Sequence, residues 1–161
     1  MKFSHRLTYD ASPSDVRAML GDPAFREKVC VAMEASRRDV TIVPSGAGAM
    51  SVVVEQVQPA RGIPSFAKRF VGDEIHIVQR ESWTDGSSAD LTIDLPGKPA
   101  RFAGSITLAP DGDGTVETIS GDVAVKVPLV GGRLESLVGD LLQAALRGEE
   151  RVGRAWLAGS R

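Results

Sequence analysis

The chain has 161 residues, of which 42% are hydrophobic and 25% charged, and its formal net charge at pH 7 is -2. These proportions are those of one globular domain that can bury a core without a metal or a disulfide. The small negative charge gives no reason to expect nucleic acid as a partner. Cys30 is the only cysteine, so an intrachain disulfide is excluded, and we expect a buried apolar role in a reducing compartment.

The first residues alternate charged and apolar side chains, without the continuous apolar run of a signal peptide, so a cytoplasmic location is expected. The most apolar window, residues 137–146, is interrupted by Gly139, Asp140 and Gln143, and the sequence therefore predicts no membrane span. The excess of arginine over lysine and the abundance of alanine, glycine and valine are typical of a GC-rich bacterial genome.

The N-terminal third of the chain predicts one strand followed by two short helices. Apolar and polar residues alternate over residues 2–9, which is the period of a strand with one buried face. Ser12-Pro13 then predicts the start of a helix, and Gly21 its end. Asp22-Pro23 repeats the same start signal for a second helix.

Beyond residue 36 the pattern returns to extended segments separated by turns. The turns at Ser45–Gly48, Asp85–Ser87, Pro96–Pro99 and Asp111–Gly114 contain glycines, which can adopt the positive φ of a tight turn. Consecutive short turns predict an antiparallel meander, because parallel strands need long crossover connections. The predicted strands are 39–43, 50–57, 74–83, 91–95, 101–108 and 115–127.

One connection, residues 58–70, is longer than the others. It contains two prolines and the apolar residues Ile63, Phe66 and Phe70. Long connections in compact domains are often functional. Two interpretations stay open: a lid over a binding cavity, or a loop whose aromatic side chains tuck onto the domain surface.

After Pro128 the apolar residues recur every three or four positions, which predicts one long helix over residues 132–157. This helix spans roughly 39 Å at about 1.5 Å per residue, long enough to cross a whole sheet. Gly139, Gly148 and Gly153 each weaken a helix by up to about 1 kcal/mol, so they indicate close packing, a bend or a frayed end. The apolar stripe consists of Val130, Leu134, Leu137, Val138, Leu141, Leu142, Ala145, Val152 and Trp156.

Three segments carry a family resemblance: Thr8–Pro13 reads TYDASP, Asp22–Phe25 reads DPAF, and Lys126–Glu135 reads KVPLVGGRLE. With the order of elements above, they resemble the START-like superfamily, also called SRPBCC or helix-grip, and within it an uncharacterised bacterial branch carried as a domain of unknown function. The resemblance covers nearly the whole chain. It implies a single α+β domain, residues 1–161, whose curved antiparallel sheet of about seven strands wraps around the long C-terminal helix packed across it.

The resemblance also implies a cavity between the sheet and the terminal helix. Members use this cavity for lipids, sterols, polyketides or plant hormones, and some use it for cyclisation or dehydration, so the fold alone does not assign a function. The alternative is a filled core in which the inward side chains meet. The predicted apolar lining is Val52, Val54, Ile75, Ile77, Leu91, Ile93, Phe102, Ile106, Leu134, Leu137, Leu141 and Leu142.

Five polar residues lie on strand faces that also carry apolar residues, so they are candidates for polar groups inside the cavity. Exposure at a sheet edge, or an ordinary hydrogen bond in the core, is the alternative for each of them. The candidates are His5, Tyr9, Gln56, Gln79 and Glu81.

Other chemistry lacks its motif in this sequence. His5, His76 and Cys30 do not have the spacing of metal ligands, so no metal site is expected. Gly46–Ser51 lacks the third glycine of a dinucleotide fingerprint and leads into a strand, and no cofactor is expected. Asp111–Gly114 lacks the remaining ligands of a calcium loop. Without a G-x-S-x-G or comparable nucleophile motif, no catalytic residue is assigned.

The sequence thus favours a protein that binds a hydrophobic or amphipathic small molecule, lipid-like or polycyclic. One alternative is an enzyme of the cyclase or dehydratase kind, in which Glu81, His5 or Tyr9 exchanges a proton with the substrate. Another is an interaction module without a ligand, in which the terminal helix or residues 63–70 bind a protein partner.

Overall fold

Every strand and helix that the periodicities predict is present, together with one further short helix, in a computed structural model that describes residues 1–160. The elements are β1 (Lys2–Tyr9), α1 (Pro13–Leu20), α2 (Pro23–Ala32), β2 (Arg37–Gly46), β3 (Ala49–Pro59), α3 (Ser65–Val71), β4 (Glu74–Trp83), β5 (Ser88–Asp94), β6 (Ala100–Asp111), β7 (Gly114–Val125) and α4 (Gly131–Leu157). Seven strands form one antiparallel sheet, and α4 packs on it, which gives the predicted α+β helix-grip architecture.

The sheet has the order β1-β7-β6-β5-β4-β3-β2. The strands from β2 to β7 follow one another as hairpins, so the predicted antiparallel meander is confirmed. β1 joins at the far side by pairing with β7, where Leu7 lies opposite Glu117. The two edges of the sheet are therefore β1 and β2.

Both short helices begin where their capping residues predict. The Ser12 hydroxyl accepts a hydrogen bond from the backbone N–H of Asp15 at 3.1 Å. The Asp22 carboxylate accepts one from the N–H of Ala24 at 2.9 Å. Each bond satisfies a backbone N–H group that has no partner inside its helix. The proline in the first turn of each helix has no backbone N–H and so needs no partner there.

The glycines of α4 allow close packing, which is the first of the three explanations that the sequence left open. A Cβ atom at Gly139 would lie 2.6 Å from Met1 Cε, and one at Gly148 would lie 2.9 Å from Met33 Cε. At Gly153 it would lie 2.7 Å from the Tyr9 ring. Glycine thus lets α4 approach β1 and α2.

No helix within residues 1–160 combines the length and apolarity that crossing a membrane requires.

The main core lies between α4, α1 and α2 and the face of the sheet turned toward them, which we call the inner face. Side chains alternate along each strand, so one set from every strand reaches this core. Cys30 is buried in it, as predicted. Its largest fully buried side chains include Trp83, Phe25, Leu7 and Leu20.

The connection after β3 differs from the prediction, because it contains the helix α3 instead of an irregular loop. Ile63 and Ala67 are buried against Val125 and Leu134, and these four residues form a second apolar cluster, which we call the α3 cluster. Two prolines hide the short helical period in the sequence, and the helix is stabilised by these tertiary contacts instead.

Candidate ligand-binding site

The five polar residues predicted to face inward all lie on the inner face. In the register of β3 and β4, Gln56 lies opposite Ile77 and Gln79 lies opposite Val54, so both glutamines share a face with apolar side chains. The five form two groups on different parts of the sheet. Gln56, Gln79 and Glu81 are on β3 and β4, whereas His5 and Tyr9 are on β1.

The Glu81 carboxylate is buried and accepts four hydrogen bonds. Arg26 donates two of them in a bidentate pair, from Nη1 to Oε1 and from Nη2 to Oε2, each at 2.8 Å. Gln79 Nε2 donates to Oε1 and Trp83 Nε1 donates to Oε2, both at 2.7 Å. The remaining Arg26 donor, Nε, reaches the Leu20 carbonyl at 2.8 Å. The group therefore ties α2 and the end of α1 to β4.

This arrangement leaves Glu81 no acceptor site for a substrate proton, since a carboxylate offers about four lone-pair positions. Burial alone would lower the pKa of Arg26, but the charge of Glu81 raises it above its ordinary value, so the guanidinium stays protonated. The pair is a structural link, and the hypothesis that Glu81 exchanges a proton with a substrate is not supported by this geometry.

His5 and Tyr9 do not converge on Glu81 along the sheet. Three strands, β5, β6 and β7, separate β1 from β4, which corresponds to roughly 19 Å at about 4.8 Å per strand. Among residues 1–160, the buried His5 Nε2 has no hydrogen-bond partner. Across the interior the separation is shorter, because the charge of Arg26 opposes the rise that burial causes in the pKa of Tyr9. The enzyme hypothesis for Tyr9 and His5 therefore stays a prediction.

A second polar cluster lies where β1 and β7 meet α4. Tyr9 and Glu117 occupy diagonal inner-face positions in the β1–β7 register and are buried. A Cβ atom at Gly153 would lie 3.2 Å from the Tyr9 hydroxyl, and Glu149 precedes Gly153 by one helical turn. Within the described residues, the Tyr9 hydroxyl and Glu117 Oε2 are buried without a well-aligned hydrogen bond, although the two side chains lie close enough for Tyr9 to oppose the rise in the pKa of Glu117.

Burial favours the protonated form of every acid in this cluster. It raises the pKa of Glu117 well above the ordinary value, and the nearby charge of Glu149 adds to the effect. Burial likewise raises the pKa of Glu149. The positive charge of Arg26 opposes this rise, and the negative charge of Glu81 adds to it. The pKa of Tyr9 rises for the same reason, with Glu117 as the largest charged contributor.

Replacing Glu117 with glutamine is expected to stabilise the protein at alkaline pH. Because the folded-state pKa of Glu117 is raised, its contribution to stability is complete below the unfolded pKa, about 4.3, and is lost as pH rises through the folded value. Glu117→Gln removes that loss, so the Tm difference from wild type should grow between pH 5 and pH 9. The Tm of the variant should rise by about 2–4 °C for each kcal/mol of unfolding free energy that the substitution restores.

The control is Glu27→Gln, which changes an exposed carboxylate on α2. Thermal melts followed by circular dichroism over the same pH range measure both variants. If the Glu117→Gln and wild-type Tm values keep a constant difference at every pH, ionisation of Glu117 does not oppose folding.

The twelve predicted lining residues divide by exposure. The six that are fully buried pack as core, as the filled-core alternative states: Val52, Val54, Leu91, Phe102, Ile106 and Leu134. Five are only partly buried: Ile75, Ile77, Ile93, Leu137 and Leu142. The last, Leu141, is 40% exposed. Half of the predicted lining therefore keeps contact with solvent.

The exposure of Leu141 marks a gap along one edge of α4. Leu137, Leu141 and Gly148 lie on the same side of the helix, because residues four and seven positions apart share a face. Leu137 packs against the α3 cluster, and Gly148 is covered by Met33 at the end of α2. Among residues 1–160, Leu141 is part of neither apolar cluster. Its position on α4, between the contacts with α2 and those with α3, is therefore left partly open.

The sheet has a matching uncovered position at Ile77. This side chain is half-buried and is part of neither apolar cluster among the described residues. Its inner-face neighbours on the next strand include Ile93, which lies opposite Gln79. We use the name inner cleft for these partly exposed positions together: Ile77, Gln79 and Ile93 on the inner face of the sheet, and Leu141 and Leu142 on α4.

The segment interpreted as either a lid or a tucked loop packs in the α3 cluster. Ile63 is 8% exposed, so the structure places it in the α3 cluster and not on the surface. Phe66 and Phe70 are partly buried against the same cluster. Arg133 lies over the Phe66 ring, with Cζ 4.1 Å from the ring centroid. The tucked arrangement is therefore observed, and opening of α3 stays a prediction.

Two surface depressions lie elsewhere. One of about 260 Å³ is lined by Thr8–Asp10, Asp111 and Asp113–Thr115, and one of about 520 Å³ by Lys2–Ser4, Ser120 and Gly121. Neither contains a residue of the inner cleft. No group of three or more His, Cys, Asp or Glu side chains within residues 1–160 is placed to hold a metal ion.

Four residues of the polar interior were not predicted as site residues. Glu117 lies on the same face of β7 as Ile119 and Val123, because side chains two residues apart on a strand point the same way. That alternation could have identified Glu117 as an inward-facing residue. Glu149 falls on the apolar stripe of α4, and a glutamate there is also a signal. Trp83 lies two residues after Glu81 on β4 and therefore on the same face, so alternation could have identified it as well. Arg26 stands in a charged stretch of α2, and nothing local distinguishes it from its exposed neighbours.

Comparison with protein families and curated sequences finds relatives over most of the chain. The model of a family described as "Protein of unknown function (DUF2505)" matches residues 4–157. The uncharacterized proteins Rv0481c of Mycobacterium tuberculosis and Mb0491c of Mycobacterium bovis are each 23% identical over 116 residues, which is 68% of this chain and 67% of theirs.

Solved structures share the fold at low sequence identity. TTHA0849 from Thermus thermophilus has a TM-score of 0.67 and 21% identity, with 100% of both chains covered. Norcoclaurine synthase from Thalictrum flavum has a TM-score of 0.61 and 16% identity over 99% of this chain and 87% of that one. The di-domain ARO/CYC StfQ of the steffimycin biosynthetic pathway has a TM-score of 0.63 and 13% identity. The match covers 96% of this chain and 49% of StfQ.

Proposed function

The chain belongs to the DUF2505 family, whose description assigns no function, and we propose that this protein binds a hydrophobic or amphipathic small molecule in the inner cleft. The observation that carries this proposal is the partial exposure of Ile77, Ile93 and Leu141, which are apolar residues on the walls of the cleft. Covering such surface is worth about 25 cal/mol per Å². A lipid-like or polycyclic molecule between the sheet and α4 would cover it.

The polar side of the cleft favours a ligand with one polar group. Gln79 is half-buried between Val54 and Ile93, and its amide nitrogen is held by the Glu81 carboxylate at 2.7 Å. That bond orients the amide without a charge in the cleft. A few fixed polar groups among apolar walls are the usual composition of a small-molecule site.

The fold supports the same class of function. Norcoclaurine synthase, which shares it, was solved in complex with dopamine and hydroxybenzaldehyde. StfQ and BexL are di-domain ARO/CYC proteins of two biosynthetic pathways. The cytoplasmic location expected from the sequence agrees with such a role. Catalysis is not included in the proposal, since the Glu81 carboxylate is fully occupied by hydrogen-bond donors.

The test is to identify what the protein carries. The chain is purified under native conditions and extracted with organic solvent, and the extract is analysed by mass spectrometry beside that of Leu141→Arg. An arginine at this 40% exposed position should change stability by less than about 0.5 kcal/mol while placing a charge at the cleft. We expect an apolar compound near one equivalent in wild type and less than about a tenth of that in Leu141→Arg.

Ser136→Arg is the matched control, because it adds the same charge at an exposed position of α4. This variant should retain the compound. A wild-type extract without any stoichiometric compound, combined with no binding of the apolar fluorophore anilinonaphthalene sulfonate, would contradict the proposal.

A further inference from the structure

Three segments that are distant in sequence bring positive charge to one end of the molecule. Residues 60–72, 95–104 and 123–134 contain seven of the chain's 19 lysines and arginines and none of its 21 acidic residues. All seven side chains are exposed. They are Arg61, Lys68, Arg69, Lys98, Arg101, Lys126 and Arg133, and we call the surface they form the cationic end.

The fold, and not the sequence, assembles this surface. Side chains from all three segments pack in or against the α3 cluster, among them Phe66, Ala100 and Val127. The backbone N–H of Lys126 also donates to the Pro99 carbonyl at 2.9 Å. The chain as a whole has a formal charge of -2, so the cationic end is a local pole on a mildly acidic protein.

The exposed carboxylates Asp73 and Glu74 directly follow the first segment, and three further carboxylates at this pole are paired. Glu34 pairs with Arg61 at 3.1 Å, and Asp94 pairs with Arg101 at 3.3 Å. Glu135, at the edge of the surface, is held by the N-terminal ammonium group at 3.5 Å. For the other five cations, Lys68, Arg69, Lys98, Lys126 and Arg133, no ion pair within 4.0 Å is formed among residues 1–160. Their charges are available to a partner.

An exposed leucine stands within the same surface. Leu129 is 104% exposed and has φ of 70°, a left-handed conformation that a bulky residue rarely adopts. Phe66 and Phe70 lie nearby in α3, and guanidinium groups sit over their rings at 4.1 and 4.7 Å. A fully exposed leucine among cations that form no ion pair is the composition of a surface that binds a lipid interface.

We propose that the cationic end docks onto an anionic lipid bilayer, with Leu129 entering the interface and the unpaired cations facing the phosphates. Nucleic acid would use the cations but would give an exposed leucine no apolar medium to enter. This surface is distinct from the inner cleft, although α3 borders both. Docking would place the gap beside Leu141 close to the membrane.

The test measures co-sedimentation with vesicles of phosphatidylcholine and phosphatidylglycerol at 70:30, and with phosphatidylcholine alone, at 50 mM salt. Wild type should bind the mixed vesicles and not the neutral ones. Each cation removed should weaken binding about fivefold, so Lys68→Gln combined with Arg69→Gln should lose about 25-fold. Leu129→Ser should lose about tenfold because its side chain no longer enters the interface.

Matched controls lie far from the cationic end. Arg147→Gln combined with Arg151→Gln removes two exposed cations that are roughly 21–27 Å along α4 from Arg133. Val43→Ser removes an exposed apolar side chain of β2. Both should stay within about twofold of wild type. Equal binding to neutral vesicles, an equal loss in the controls, no effect of Leu129→Ser, or no vesicle binding by wild type would each overturn the proposal.

Discussion

Replacing Glu81 with leucine is expected to lower the free energy of unfolding by about 3–5 kcal/mol, because it leaves the Arg26 guanidinium buried without its counter-ion. The side chains of both partners are at most 4% exposed, so solvent cannot compensate for the lost pair. Urea unfolding, followed by tryptophan fluorescence and by circular dichroism, measures the effect. Trp83 loses its own acceptor in this variant and reports on the same site.

The double variant Arg26→Leu with Glu81→Leu should be more stable than Glu81→Leu alone, since no charge is then left buried. Arg80→Leu is the control on the same strand. Its side chain faces outward, is 56% exposed and lies 3.6 Å from Asp94, so its removal should change stability by less than about 1 kcal/mol. A loss of under about 1 kcal/mol in Glu81→Leu would show that this pair does not hold α2 to the sheet.

Replacing Ile77 with tryptophan is expected to weaken ligand binding at least about 100-fold without destabilising the fold. The larger ring would occupy the inner cleft and exclude the ligand, and a 100-fold change corresponds to about 2.7 kcal/mol of binding free energy. If the position were fully packed, the same change would cost about 1–3 kcal/mol of stability through overpacking. The affinity for anilinonaphthalene sulfonate and the Tm of the variant therefore distinguish an accessible cleft from a filled core.

Ser82→Trp provides the comparison, because it adds the same ring at an exposed position on the outer face of β4. Probe affinity in that variant should equal that of wild type. A marked fall in the Tm of Ile77→Trp, together with unchanged probe binding, would remove the inner cleft from consideration.

The architecture followed from local signals. The alternation over β1, the capping residues Ser12 and Asp22 and the stripe of α4 depend on residues near one another in sequence, and all of these elements are present. Alternation also located Gln56, Gln79 and Glu81 on the inner face. What it could not provide was their partners, since the guanidinium that meets Glu81 comes from a residue 55 positions away.

By itself, the sequence determined every element except α3 and which face of each strand turns inward, because periodicity and turn chemistry are properties of neighbouring residues. The helix-grip arrangement of these elements was what the family resemblance implied. Only the tertiary structure decided three things: the burial of Arg26 against Glu81, the gap at Ile77 and Leu141, and the grouping of cations from three distant segments around α3. Each depends on strand register and helix packing, which are set by contacts between residues far apart in the chain.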